Sequence, residues 1–239
     1  MVIYKSQVFS YLKNSNSRWL YLLLGIDITL LILHVASVFG YVGLSFSVAR
    51  SFGYGELFQY AKFTLLALTL GYMARHWRSN LLACWSAVFF FLLIDDSLEI
   101  HEQGGIALTQ AIGSLPGIGP EMLVNMAEAA VLCSIGGLLI LPVLYFHFRR
   151  NKQSITRLIS QDILLLMIAM AFFSVVIDFV HSFAPPKTWL RGAFTLLEEG
   201  GEMMILSLTA WYTIHTAKTH SIIRKQPLVS ARPTNYPIP

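Results

Sequence analysis

The stretch "LLIDDSLEIHEQGG" at 92–105 places Asp95, Asp96, Glu99, His101 and Glu102 within eight residues of an otherwise apolar segment. Residues i, i+4 and i+7 share one face of a helix. Asp95, Glu99 and Glu102 therefore form a stripe. Three further segments repeat the pattern: Glu121, Asn125 and Glu128; Ser174, Asp178, His181 and Ser182; and Arg191, Thr195, Glu198 and Glu202. On a regular helix His101 points away from its stripe, so His181 is the favoured imidazole. Oxygen donors with one imidazole suit iron, manganese or zinc better than a metal that needs soft thiolates.

An ionised carboxylate facing hydrocarbon costs a few kcal/mol or more. It is relieved by protonation, by a paired cation or by a bound metal. Cations are scarce beside these stripes, which favours a divalent metal, iron first. The ligand set read from the spacing is Glu99, Glu128, Asp178, His181 and Glu202. Asp95 and Glu198 serve as bridging or supporting carboxylates, and Arg191 as counter-charge. Asp96, Glu102, Glu121 and Glu199 read as groups solvating the water interface. The Asp-x-x-His of "DFVH" at 178–181, Glu99-x-x-Glu102, Glu128 and the Glu198/Glu202 pair resemble the carboxylate-bridged dinuclear sites of helical bundles. The resemblance is one of site chemistry over about forty residues, and it departs from that pattern in lacking a second Glu-x-x-His.

These residues are positioned by a very apolar chain. Of 239 residues, 55% are hydrophobic and 13% charged, with mean hydropathy +0.61, too apolar for an ordinary soluble domain. Six segments, at 19–40, 57–75, 80–101, 121–148, 158–183 and 190–215, approach or exceed the ~20 residues a spanning helix needs. Breaks are expected at "EQGG" (102–105), "SLPGIGP" (114–120) and "APP" (184–186). The first 19 residues carry no cleavable leader pattern. The fold expected is all-α: one integral membrane bundle of six transmembrane helices over 1–216, then a disordered cytoplasmic tail over 217–239. Cys84 and Cys133 read as buried, inert thiols.

A cytoplasmic N-terminus puts thirteen of the 17 Lys and Arg on the inner side, leaving only Arg50, Lys62, Lys187 and Arg191 outside. Both termini are thus expected inside, in the cell's inner (plasma) membrane. That orientation, derived from cations alone, collects the acidic stripes in the outer leaflet. Within the first span Asp27 and His34 share a face as a potential relay, and Lys62 is expected to snorkel. Gly200 and Gly201 permit close helix packing, and 45–57 suits an amphipathic lid. The uncharged 103–120 segment suits a partner contact.

The net charge of +4 reflects short clusters beside spans, which are topology signals and anionic-lipid contacts, with no nucleic-acid partner implied. No P-loop, Rossmann glycine motif, Gly-x-Ser-x-Gly or His-Glu-x-x-His occurs. The leading expectation is a metal-dependent membrane enzyme. Its chemistry would be redox at a dinuclear iron centre, or metal-assisted hydrolysis, on a lipid-like or apolar substrate. A cation or proton-coupled transporter would need a second polar station beyond Asp27. An accessory subunit docking onto membrane partner subunits is the third alternative.

Overall fold

A computed structural model describes residues 17–117, 119–149, 154–185 and 188–225, and among these there is no strand. The helices are α1 (Arg18–Val38), α2 (Tyr54–Trp77), α3 (Asn80–Leu98), α4 (Ile100–Ile112), α5 (Pro120–Arg149), α6 (Ile155–Ala171), α7 (Asp178–His181) and α8 (Trp189–Lys225). A 3₁₀ turn (Leu44–Phe46) lies between α1 and α2, and a π-helical turn (Phe172–Ile177) joins α6 to α7.

Four runs are long and apolar enough to cross a membrane: Arg18–Val38, Asn80–Leu98, Met122–Arg149 and Ile155–His181. The other two expected spans correspond to α2 and α8. These are long enough, at 24 and 37 residues, but carry Glu56, Lys62, Glu198, Glu199 and Glu202. The core lies where α2, α3, α6 and α8 meet, around Leu66, Leu70, Leu82, Trp85, Phe89, Ile159, Ile163 and Leu206. Among helices that face lipid, shape fit and interhelical hydrogen bonds hold the bundle, because lipid tails are as apolar as leucine. Gly71 of α2 admits Ser86 of α3, whose Oγ donates to the Ala67 carbonyl at 2.7 Å. The Trp85 indole donates to Ser160 Oγ of α6 at 2.8 Å, and Tyr212 of α8 donates to Asp162 of α6 at 2.7 Å.

Lys62 does not snorkel. Its amine is buried and donates to Asp27 Oδ1 (2.9 Å), the Met203 carbonyl (2.9 Å) and Ser207 Oγ (3.3 Å). Three acceptors match the three protons of an ammonium, and Ser207 in turn donates to Asp27 Oδ2 at 2.5 Å. The cluster ties α1, α2 and α8 together. It also separates Asp27 from His34, whose Nδ1 accepts from the Val48 amide at 3.2 Å and faces Ser47 Oγ at 3.2 Å. An Nδ1 that accepts belongs to the neutral ring protonated on Nε2, and through it His34 anchors the 44–53 segment.

Further expectations change. The helix breaks at Glu99 (φ 51), and "EQGG" lies inside α4. The 103–112 part of the expected partner loop is therefore helix packed on α5. Of the 45–57 segment, the part before Tyr54 is a 3₁₀ turn and loop pinned by the buried Val48, and the rest begins α2. Helix α8 continues to Lys225, so the first part of the expected tail is helical, while 226–239 lies outside the described residues. Both cysteines are free, Cys84 half-buried and Cys133 exposed on α5.

Candidate metal centre

The acidic residues gather at one end of the bundle, where the start of α2, the end of α3, α4, the first half of α5, the π turn with α7, and the first half of α8 converge. Two close approaches set this end. A Cβ on Gly105 would lie 2.3 Å from Glu128 Cγ and 2.7 Å from its amide nitrogen, so α4 rests directly on the α5 backbone at Glu128. A Cβ on Gly201 would lie 2.2 Å from the Phe173 ring, so α8 is pressed against the π turn. Single π turns inside α-helices recur at functional sites. Here the turn sits between Met170 and Asp178, and the helix pair it forms brings Asp178 and His181 beside Glu198.

A cavity of about 280 Å³ results. Nine carboxylates line it: Glu56, Asp95, Asp96, Glu102, Glu128, Asp178, Glu198, Glu199 and Glu202, together with His101 and Ser174. No Lys or Arg is among its described lining residues. Apolar walls come from Phe63, Leu92, Leu132 and Met170.

Both histidines at this end are held through Nδ1 by a carboxylate. His181 Nδ1 lies 2.9 Å from Glu198 Oε2, and His101 Nδ1 lies 2.8 Å from Asp95 Oδ2. The left-handed Glu99 turn makes the second pair, because it swings His101 back so that its amide also reaches Asp95 Oδ1 at 3.1 Å. A carboxylate on one ring nitrogen fixes an imidazole so that the other is the ligating atom. On α4, outside the spanning helices, the hydrogen bond to Asp95 raises the pKa of His101 against the opposing effect of burial. Burial raises that of Glu102.

Asp178, His181 and Glu198 each offer one donor atom, all within 4.8 Å of one another. Donors bound at ~2.1 Å to one ion are at most ~4.2 Å apart. Asp178 and His181 therefore lie near the separation one ion requires, with Glu198 on the Nδ1 side of the ring.

Of the expected ligands, Glu128, Asp178 and Glu202 line the cavity and His181 joins them through Glu198. Glu99 does not line it, because the residue that breaks the helix points elsewhere than its stripe predicts. Arg191 is likewise absent from the lining. The side chain of Glu121 lies outside the described residues. Asp96, Glu102 and Glu199, read from sequence as interfacial, are in the cavity wall.

Glu56 was missed altogether. Its Oε2 accepts from the Phe52 amide (2.6 Å) and lies 3.0 Å from the Tyr60 hydroxyl, which is 3.3 Å from the Asp96 carbonyl. The single phenolic proton goes to the nearer and charged acceptor. The signal available was the i, i+3, i+7 face Glu56, Gln59, Phe63, all three of which line the cavity.

Residues 10–216 match the model of the family described as Domain of unknown function (DUF8692). The chain belongs to this family. The DUF8692 match takes in every residue that lines the cavity. No curated protein and no solved structure matches the chain.

Proposed function

We propose that this DUF8692 chain is a metal-dependent integral membrane enzyme. Its six long helices span the plasma membrane with both termini cytoplasmic and the acidic cavity toward the outer face. The observation that carries the reading is nine carboxylates lining one cavity with no Lys or Arg among its described lining residues. Divalent cations neutralise several such groups at once, where pairing with side-chain cations cannot.

Two carboxylate-backed imidazoles, His101 in the cavity wall and His181 beside Glu198, suit two ions. One would be held by Asp178 and His181, whose ring Glu198 orients, and the other by His101, whose ring Asp95 orients, with Glu102 and Glu128; Glu202 would complete either set. Iron, ahead of manganese or zinc, is favoured because carboxylate-rich sets with one imidazole per ion form the dinuclear centres of helical bundles. Such a centre supplies redox chemistry, or a water made acidic enough to attack near neutral pH. The remaining carboxylates accept or return protons. The apolar wall of Phe63, Leu92, Leu132 and Met170 suits a lipid-like substrate.

Elemental analysis after chelator-free purification tests the reading. Near-stoichiometric iron, or another divalent metal, is expected. Its absence after attempted reconstitution rejects the proposal.

The Asp27–Lys62–Ser207 cluster favours a second reading, cation or proton-coupled transport, because it is a charged station beyond the cavity, joined through Ser207 to the helix α8 that carries Glu198 and Glu202. Flux in proteoliposomes that requires Asp178, Glu202 and Asp27 would favour transport over catalysis.

A further inference from the structure

At the end of the bundle opposite the acidic cavity, a groove of about 320 Å³ runs between α1, α2 and α8. Asp27 meets Ser207 and Leu31 meets Gly200, so α1 runs antiparallel to α8 and its first turns lie beside Trp211 and Lys218. The groove is lined by Trp19, Leu22, Leu65, Trp211, His215 and Lys218, among others, and by no acidic residue among the described residues. Trp19, Leu22 and Leu65 are exposed, so it opens on the apolar outer surface of the bundle. At one end Lys218 Nζ lies over the Trp19 ring, 5.5 Å from its centroid, and His215 stacks on Trp211 at 5.7 Å. Arg18, Arg75, Arg78, Arg149 and Arg157 begin or end the helices at this same end, whose one described carboxylate near the core, Asp162, is buried and bonded to Tyr212.

We propose that this groove binds one phospholipid with an anionic headgroup, an acyl chain lying along Leu22 and Leu65 and the phosphate meeting Lys218. The apolar trough alone would accept any acyl chain. The commitment to an anionic head comes from the charge at the groove's end, where a cationic side chain sits at the rim and the described lining carries no carboxylate. Trp19 takes the place that interfacial tryptophans hold, with its ring at headgroup level. A basic residue near an anionic lipid surface contributes ~1 kcal/mol, about fivefold in affinity. The inference does not depend on the acidic cavity holding metal.

Native mass spectrometry of the full chain in detergent tests it, with titration by dioleoyl phosphatidylglycerol and, separately, by dioleoyl phosphatidylcholine. One phosphatidylglycerol per chain is expected to be retained preferentially. Lys218→Ala should weaken it about fivefold while leaving phosphatidylcholine unchanged, and Leu65→Trp, which fills the trough on an exposed face, should remove the retained lipid. Equal retention of the two lipids, or an unchanged preference in Lys218→Ala, overturns the proposal. So does displacement by soluble glycerol phosphate, which would mean that the head binds without the trough.

Discussion

His181 Nδ1 lies 2.9 Å from Glu198 Oε2, and this contact joins the end of the π-interrupted sixth helix to α8 at the wall of the acidic cavity. A carboxylate in that position orients the ring and raises its basicity as a ligand. Glu198→Gln is therefore expected to weaken metal affinity 10- to 100-fold while the helices stay in place. Isothermal titration of the metal-depleted protein measures this. An unchanged affinity would reduce the contact to a structural hydrogen bond.

Glu202 lies in the same cavity on the next turn of α8. Glu202→Gln keeps the shape and removes the charge. A ligand role predicts lower metal content and a lower melting temperature, because the neighbouring carboxylates lose their shared counter-charge. Unchanged metal occupancy together with unchanged melting would remove Glu202 from the centre.

The buried pair of Asp27 and Lys62 gives a prediction about stability alone. Lys62→Met leaves Asp27 an uncompensated buried charge, and removal of one partner from such a pair costs about 3–5 kcal/mol. The double variant Asp27→Asn/Lys62→Met should recover most of that loss. Unfolding in mild detergent measures all three proteins; a double variant that is no more stable than Lys62→Met would contradict the ion-pair assignment.

Gly105 and Gly136 offer a matched comparison. A Cβ at Gly105 meets the Glu128 backbone, whereas one at Gly136 meets nothing within 4 Å. Gly105→Ala should therefore destabilise by about 1–3 kcal/mol and disturb the cavity through Glu128. Gly136→Ala, on the open side of α5, should be neutral or stabilise by about 0.4–1 kcal/mol. Thermal melting of the two variants separates a close-packing role from a general intolerance of alanine.

The all-helical architecture was legible because apolar runs near 20 residues in length admit little else, and helical spacing brought Glu128, Asp178, Glu198 and Glu202 together on paper. Four features escaped the same reasoning. Glu99 adopts a left-handed conformation, which rigid 100° periodicity cannot anticipate, and this moved Glu99 out of the wall and His101 into it. Lys62 found Asp27 across helices far apart in sequence, so only tertiary packing reveals why it is buried. Glu56 stood alone in its segment, and its contribution depends on the 44–53 turn that folds its carboxylate toward the Phe52 amide. Gly105 likewise reads as a breaker by composition, but in α4 it is the contact point against α5.

The central claim is that the acidic cavity holds metal, and element-resolved anomalous scattering from crystals of the detergent-purified protein tests it most directly. The account predicts anomalous density within ~2.0–2.2 Å of donor atoms from Asp178, His181 and the carboxylates around them, with a second peak beside His101. Well-ordered carboxylates without anomalous density, in protein given iron, manganese and zinc, would contradict it.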